Sequence, residues 1–244
     1  MLRCLAALIL VVAPSLPVFA QTAGETARAA IVRYHEDPTL IDRAREQLEA
    51  ELTRDRRVEM MVLLSRVCFL AGDVRARTTD EKLAAYDRGR EIGKRAVELA
   101  PKDIGAHLWY AINTGRWGQT KGVLRSLFLL PTLREELDVI FALDPRSASA
   151  HVLAGNVFLD VPALFGGDRA KAEAYYRKGI AIDPRFTVIR VELARLLIAT
   201  DRAADARREL QRVIDERAPT SIADWTVKDL PRARALLVSL GDRT

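Results

Sequence analysis

The feature that most constrains this 244-residue chain is a series of prolines, each placed directly after a stretch of helix-forming residues. They are Pro101, Pro145, Pro184 and Pro219, spaced by 44, 39 and 35 residues. A proline just beyond a helix end is a common stop signal, because its ring cannot continue the helix. Ala, Leu, Arg and Glu, all strong helix formers, dominate the composition. A near-regular series of such stops predicts an all-α fold with a repeat of two helices.

The residues between the prolines repeat as well, most clearly in the last unit. Leu193, Ala194 and Leu197 lie on a first predicted helix, and Ala206 and Leu210 lie on a second. Small residues at the contact between two helices let the helices pack closely. This spacing resembles the tetratricopeptide pattern, a helix-turn-helix unit of about 34 residues.

Two earlier units carry insertions between their helices. The unit that ends at Pro184 has about five extra residues around Val161–Asp168. The unit that ends at Pro145 has about ten, around Gly115–Gly122. A less regular unit precedes them and ends at Pro101.

The whole pattern predicts an all-α, right-handed α-solenoid of about four degenerate tetratricopeptide-like helix pairs, forming one domain over residues 21–244. Ahead of these units, Glu25–Thr53 indicates one further helix pair, broken at Asp37-Pro38. Behind them, Val227–Leu240 predicts a C-terminal capping helix with Pro231 in its first turn.

The first twenty residues have the pattern of a secretory signal peptide. Arg3 supplies a positive start, Cys4–Ala13 is continuously apolar, and Ala20 ends a short segment that suits cleavage. We therefore expect a signal peptide over residues 1–20, cleavage near Ala20, and a periplasmic or secreted protein. The apolar stretch is shorter than the roughly 20 residues of a membrane helix, so we expect no stable membrane anchor.

Charge and cysteine content narrow the function classes further. The net charge is +5, but acidic and basic residues interleave and form no basic stripe, so we expect no nucleic-acid partner. Cys68 would be the one cysteine left after cleavage, and its apolar neighbours predict a buried, unreactive thiol.

The histidines and the glycine pair offer candidate sites for chemistry, but each has a structural alternative. His107 and His151 each follow a repeat proline by six residues, so they could share a metal ion across neighbouring helices. No third ligand accompanies them, which favours packing in the core. Gly166-Gly167 could bind an anion, but Asp168 is placed to cap the helix that follows. We expect no catalytic residue, metal or cofactor, and hence no enzyme.

The concave face of the solenoid is the candidate binding groove. Projection of the inward-facing first-helix positions gives Val62, Arg66, Phe69, Leu108, Ile112, Val152, Asn156, Leu159, Val191, Arg195 and Ile198. Most are apolar, which favours an apolar small ligand, an amphipathic ligand or a partner helix. The alternative is that the insertions fill the groove and that these residues belong to the core.

The segment Gly115–Gly122, interpreted as a loop, is a second candidate for recognition. Its candidate residues are Arg116, Trp117 and Lys121. Arg and Trp are enriched at binding hot spots, and Lys121 is close to both in the sequence. The alternative is that Trp117 folds back onto the array as a packing anchor.

Two sets of residues resemble known families. The stretch Leu164–Pro184, LFGGDRAKAEAYYRKGIAIDP, resembles the T-component of TRAP transporters, periplasmic helical proteins with a Gly-Gly-Asp loop before a helix. This resemblance implies an accessory protein that engages a periplasmic substrate-binding protein and holds an apolar ligand. The stretch Ala106–Pro145, with HLWYA at its start, and the closing stretch Trp225–Leu237 resemble the regulator of microtubule dynamics family. A microtubule role conflicts with a signal peptide, so we expect that relation to be one of fold.

These observations favour an exported tetratricopeptide-type scaffold that mediates protein–protein interaction, with the transporter-accessory role as the implication of the first resemblance. The alternative is a general helical adaptor of envelope assembly with no solute role. An enzyme is a third hypothesis, for which the sequence shows no convergent set of titratable groups.

Overall fold

The computed structural model describes residues 22–241, and these residues form a succession of helices with no strand among them. The helices are α1 (Ala23–Arg33), α2 (Thr39–Leu52), α3 (Val58–Leu70), α4 (Thr79–Leu99), α5 (Ile104–Lys121), α6 (Val123–Phe128), α7 (Leu130–Leu143), α8 (Ala148–Asp160), α9 (Arg169–Ile182), α10 (Thr187–Ala199), α11 (Ala203–Asp215), α12 (Ile222–Asp224) and α13 (Leu230–Gly241). A π-helical turn over Ala71–Arg75 extends α3, a second over Trp225–Asp229 joins α12 to α13, and a 3₁₀ turn covers Ala163–Phe165. The predicted signal peptide lies outside the described residues.

The helices pack as antiparallel pairs along the array. α1 packs against α2, α3 against α4, α5 against α7, α8 against α9, and α10 against α11. The predicted stops follow helix ends: Pro101 comes after α4, Pro145 after α7, Pro184 after α9 and Pro219 after α11. The predicted α-solenoid of helix pairs is confirmed, and the predicted break at Asp37-Pro38 separates α1 from α2.

Small residues set how closely the paired helices approach, as the repeat pattern requires. A Cβ atom built at Gly155 of α8 would overlap the ring of Tyr176 of α9. A Cβ atom at Gly72 would overlap the ring of Tyr86 of α4 in the same way. Each glycine thus leaves the space that an aromatic ring of the partner helix fills.

The two ends of the array meet through the C-terminal segment. The hydroxyl of Tyr34, at the end of α1, donates a hydrogen bond of 2.9 Å to Oδ1 of Asp224 in α12. Ala223 is fully buried in the cluster formed by α1 to α4. On the other side, Trp225 Nε1 donates to the carbonyl of Val213 in α11 at 2.7 Å. The segment therefore bridges the first helix pair and the last, and it covers the concave face between them.

The structure corrects two boundaries. The predicted loop over Gly115–Gly122 is wrong, because α5 continues to Lys121 and only Gly122, with φ of 109°, leaves the helix. The glycines inside α5 allow a close approach: a Cβ at Gly118 would lie 2.9 Å from Cδ1 of Leu129. The predicted capping helix is present, with Pro231 in the first turn of α13, but its helical segment begins earlier, at Ile222.

Cys68 is buried in α3, as predicted, and burial raises the pKa of its thiol to about 12. A thiol that stays protonated is a weak nucleophile. Among residues 22–241, no helix combines the length and the apolar content needed to cross a bilayer.

Candidate binding cavity

A cavity of about 880 Å³ lies on the concave face of the array. The first helices of four successive pairs, α3, α5, α8 and α10, border it, and the C-terminal segment from α12 to α13 closes it on the remaining side. This volume falls in the range of about 300–1,000 Å³ that small-molecule sites occupy in proteins.

One side of the cavity, called here the apolar wall, comes from α5 to α8 and from the start of α10. It is formed by Ile112, Leu127, Leu130, Leu133, Val152, Leu153, Val157, Val161, Phe186 and Val188. The insertion between α5 and α7 supplies part of this wall, because α6 turns back along the end of α5 and places Leu127 at the cavity. Contact with an apolar surface is favoured here, since apolar groups gain about 25 cal/mol per Å² removed from water.

The charged residues that line the cavity, called here the charged wall, are Asp73, Arg116, Asp160, Glu192, Arg195, Asp224, Lys228, Asp229 and Arg232. Most of these groups are paired. Arg195 Nη2 lies 2.8 Å from Asp160 Oδ1, and Arg232 Nη2 lies 2.7 Å from Glu192 Oε1. Burial raises the pKa of Asp160, and the guanidinium of Arg195 opposes that shift.

The two π-helical turns meet at the charged wall. Lys228, in the second turn, places Nζ 3.3 Å from Oδ2 of Asp73, in the first, and 2.7 Å from Oδ1 of Asp224. Arg116 of α5 also forms an ion pair with Asp73. Burial alone would raise the pKa of Asp224, but Lys228 and hydrogen bonds from Ser221 and Tyr34 hold it below its usual value. The inserted residue of a π turn changes the helical register, which lets these groups face one another.

Asp229 is the carboxylate of the charged wall that has no cation within ion-pair distance among residues 22–241. Its exposed fraction is 1%. Thr187 Oγ1 donates to its Oδ2 at 2.7 Å, while its Oδ1 has no hydrogen-bond partner in the described part of the chain. Burial raises the pKa of Asp229 to about 6. A buried charge without a partner is costly, so this carboxyl favours its protonated form more than an exposed Asp does.

The structure brings some of the predicted groove residues together and disperses the others. Phe69, Ile112, Val152, Asn156 and Arg195 border the cavity. The predicted residues that do not border it are Val62, Arg66, Leu108, Leu159, Val191 and Ile198. The placement of Val191 in the groove is wrong: it is fully buried in the core formed by α8 to α13, because α10 is buried on more than one side.

The three residues predicted for a recognition loop lie on α5 instead. Arg116 borders the cavity, whereas Trp117 and Lys121 do not. The ring of Trp117 packs against cations, with Cζ of Arg90 4.4 Å and Cζ of Arg125 5.7 Å from its centroid. Trp117 therefore packs against the array, as the structural alternative predicted.

The charged-wall residues that sequence reasoning missed are Asp73, Asp160, Glu192 and the charged residues of the C-terminal segment. Asp224, Lys228 and Arg232 are spaced four residues apart, which places them on one face of a helix. That spacing was a readable signal. Two other facts had no signal in the local pattern: the π turn that positions Asp73, and the return of the C-terminal segment to α1.

The histidines and the glycine pair serve structural roles. His107 Nδ1 lies 2.5 Å from Glu136 Oε2, and its Nε2 donates to the carbonyl of Pro101 at 3.1 Å. His151 is buried against the ring of Phe141. No set of three metal-ligating side chains occurs within residues 22–241. Asp168 Oδ1 accepts a hydrogen bond from the backbone N–H of Lys171 at 2.9 Å, which confirms the predicted helix cap.

Comparison with family models gives two matches that together cover most of the described residues. The model "Regulator of microtubule dynamics protein 1-3" matches residues 31–164, and a tetratricopeptide repeat model matches residues 166–240. The first match includes the HLWYA stretch that suggested this relation.

Curated relatives share part of their length with this chain. Regulator of microtubule dynamics protein 2 of Macaca fascicularis is 27% identical over 100 residues, which is 41% of this chain and 24% of that protein. Regulator of microtubule dynamics protein 1 of Bos taurus is 26% identical over 159 residues, which is 58% of this chain and 50% of that protein. The chain thus spans half or less of the length of these relatives.

Solved structures with a similar fold are bacterial repeat proteins. A thermophilic tetratricopeptide repeat protein of Thermus thermophilus superposes with a TM-score of 0.67 at 22% identity, covering 88% of this chain and 99% of that one. A tetratricopeptide repeat protein of Parabacteroides merdae gives a TM-score of 0.52 at 12% identity, covering 93% and 80%. At these identities the likeness concerns the fold.

Proposed function

This chain belongs to the regulator of microtubule dynamics protein 1-3 family, and from that membership and its cavity we propose that it is an exported repeat scaffold that binds a protein partner and holds an amphipathic ligand. The observation that carries the proposal is the division of one cavity into an apolar wall and a charged wall. A ligand with an apolar body and a polar end can contact both walls at once.

Buried polar atoms at the cavity that lack a hydrogen-bond partner are available to the polar end of such a ligand. Four buried polar atoms of cavity-lining residues have no hydrogen-bond partner among residues 22–241: Nε of Arg116, Oε2 of Glu192, Nε of Arg195 and Oδ1 of Asp229. The Glu192 and Arg195 atoms lie 3.1 Å apart as an ion pair, whereas those of Arg116 and Asp229 have no such contact among these residues. A buried polar atom without a partner costs about 1–3 kcal/mol, so a ligand that supplies the missing partner gains that free energy.

Binding, and not catalysis, suits the arrangement of the charged groups. Asp73, Asp160, Glu192 and Asp224 each form an ion pair with a cationic side chain. A general acid or base needs a free titratable group within reach of a reacting atom. Asp229 is the carboxyl of the charged wall without a cation among residues 22–241, and one such group beside the hydroxyl of Thr187 does not supply both an acid and a base. We therefore propose no reaction for this cavity.

Export and an accessory role in transport form the finer part of the proposal. The pattern of residues 1–20 supports export, and the resemblance of Leu164–Pro184 to the T-component of TRAP transporters supports an accessory role beside a periplasmic substrate-binding protein. The microtubule role that the relatives' names state belongs to those proteins, and we do not propose it for an exported chain.

A space-filling substitution tests the cavity directly. Val152→Trp on the apolar wall should fill the space between the walls. Leu159→Trp is a matched control, because it lies on the same helix and does not border the cavity. Native mass spectrometry of the chain, purified gently in the form its producing cells accumulate, measures any bound small molecule.

We expect a passenger mass on the wild-type chain and on the Leu159→Trp variant, and its loss from the Val152→Trp variant. Equal retention by both variants would show that the ligand binds outside the cavity. A wild-type chain without a passenger would contradict stable ligand binding and favour the general adaptor role.

A further inference from the structure

Large apolar side chains protrude from two short segments at one end of the cavity. The group, called here the apolar lip, consists of Val123, Leu124, Phe128, Leu164 and Phe165. These are five of the ten large apolar side chains exposed within residues 22–241, although they occupy only α6 and the 3₁₀ turn. Phe128 is 79% exposed and Leu164 is 88% exposed. Such a concentration of exposed apolar surface marks an interaction site.

The two segments are the two insertions into the repeat, and they border the same cavity. Val123 and Leu127 reach the cavity from α6, and Val161 and Pro162 reach it from the turn after α8. Arg134, in the helix that follows α6, donates a hydrogen bond of 3.2 Å to the carbonyl of Phe165. The lip therefore lies at the mouth of the cavity.

The chain around the first insertion is basic. From Gly115 to Arg134 it contains four cationic residues and no Asp or Glu. Lys121 and Arg125 are exposed, and neither forms an ion pair within residues 22–241. Both instead lie near the ring of Trp117, at 5.8 and 5.7 Å from its centroid. Arginines elsewhere mostly pair with carboxylates, as Arg88 does with Glu49, so unpaired cations here leave positive charge available to a partner.

The carboxylates beside the second insertion do not cancel this charge. Asp160 pairs with Arg195, and Asp168 accepts the capping hydrogen bond of α9. The lip thus combines protruding Leu and Phe side chains with free Lys and Arg side chains. This combination is typical of segments that lie at a membrane interface, where apolar groups enter the acyl boundary and cations meet anionic headgroups.

We propose that the apolar lip docks the protein reversibly on an anionic lipid surface. Leu124, Phe128 and Leu164 insert at the acyl boundary, and Lys121 and Arg125 contact the headgroups. A lipid surface fits better than a folded protein partner, because Leu124, Phe128 and Leu164 protrude with exposed fractions of 75%, 79% and 88%. A fluid phase accommodates such side chains without complementary shape.

This docking does not depend on the contents of the cavity, but it orients the cavity mouth towards the lipid. An amphipathic ligand of the kind proposed above would then enter from the lipid surface. If the cavity proves empty, the lip proposal stands; if the lip does not bind lipid, the cavity proposal stands.

Flotation with lipid vesicles tests the docking. The full-length chain is mixed with vesicles of phosphatidylcholine alone or of phosphatidylcholine with phosphatidylglycerol, and the bound fraction is measured. Every variant keeps the same residues 1–21, so differences between variants report on the lip. Circular dichroism and thermal unfolding confirm that each variant is folded, which is expected because all substituted side chains are exposed.

Three variants separate the contributions. Leu124→Ser/Phe128→Ser removes apolar side chains of the lip, and Leu99→Ser/Val238→Ser removes two exposed apolar side chains outside it as the matched control. Lys121→Gln/Arg125→Gln removes the two free cations. We expect the control to bind the anionic vesicles like the wild type and the lip variant to bind at least about tenfold less. Each cation removed should lower the partition coefficient about fivefold, with a smaller effect on vesicles of phosphatidylcholine alone.

Equal binding by the lip variant and the control would overturn the proposal, as would binding that is indifferent to phosphatidylglycerol. Analytical ultracentrifugation without vesicles tests the main alternative, which is that the lip joins two copies of the chain. If the wild type self-associates and the lip variant is monomeric, the lip is a contact between copies of the chain and the lipid assignment is wrong.

Discussion

The last helix pair, α10 and α11, and the inserted unit from α5 to α7 are built on the same repeat, but they contribute differently to the protein. In α10 and α11, the residues at the repeat positions are buried, with Leu193, Ala194 and Leu210 at 0% exposure. In the inserted unit, Ala111 occupies the position of Ala194 and is also fully buried, but the unit adds α6, which places Val123 and Leu127 at the cavity. The comparison indicates that the repeat positions supply stability in both regions, and that the insertion adds apolar surface to the cavity and to the apolar lip.

The largest expected effect is a loss of stability, measured for the same substitution at one leucine in each region. Leu193→Ala in the regular pair should lower the free energy of unfolding by about 3 kcal/mol, because it leaves a cavity in a packed core. Leu127→Ala on the apolar wall, where the side chain is half-buried, should cost less than about 1.5 kcal/mol. Urea denaturation of both variants measures the difference. Equal losses would show that the apolar wall is packed as tightly as the core.

A second prediction concerns the pH dependence that Asp229 adds at the charged wall. Its folded-state pKa is raised from the ordinary value of 3.8 to about 6, so the folded state binds the proton more tightly than the unfolded chain. Its contribution to stability is therefore greatest below pH about 4 and is lost as the pH rises through about 6. Asp229→Asn removes this loss while leaving an acceptor for Thr187.

The free energy of unfolding of Asp229→Asn relative to wild type should therefore increase between pH 4 and pH 8, by on the order of 2 kcal/mol. Thermal or urea unfolding across that range measures it. A constant difference between the two proteins at every pH would contradict the raised pKa, and Asp138→Asn, at an exposed position of α7, provides the matched control.

The smallest expected effect tests the closure of the array. Lys228→Met removes the cation that joins Asp73 to Asp224. It should cost about 1 kcal/mol, because Arg116 still pairs with Asp73 and the hydroxyls of Tyr34 and Ser221 still donate hydrogen bonds to Asp224. Amide hydrogen exchange should quicken in α1 and α12 and stay unchanged in α10. Uniform acceleration along the chain would mean that the contact between the two ends of the array does not open independently of the rest of the protein.

The same comparison explains how much the sequence alone could predict. The helix pairs were readable because Pro101, Pro145, Pro184 and Pro219 mark their ends, and because small residues such as Ala194 recur at the contacts. These are local signals with a fixed period. The helix cap at Asp168 could also be predicted, because capping depends on a few neighbouring residues.

The binding surfaces were harder to predict, because they depend on contacts between distant parts of the chain. Gly115 and Gly118 suggested a loop, but packing against α6 and α7 holds them in α5 despite the low helix propensity of glycine. Of the residues projected onto the concave face, Ile112 and Val152 border the cavity, whereas Val191 is buried by neighbouring helices. Asp73 and Lys228 meet only because the C-terminal segment returns to the first helices, and no local pattern encodes that return.

The central claim is that the first helices of the repeat, the inserted α6 and the C-terminal segment form a cavity whose apolar and charged walls hold an amphipathic ligand. The most direct test is a crystal structure of the chain isolated gently from its own cells, so that any passenger is retained. The account predicts electron density that runs from the apolar wall near Val152 to the charged wall near Asp229. A passenger bound elsewhere on the chain, or a cavity filled by side chains of α6 and the C-terminal segment, would contradict it.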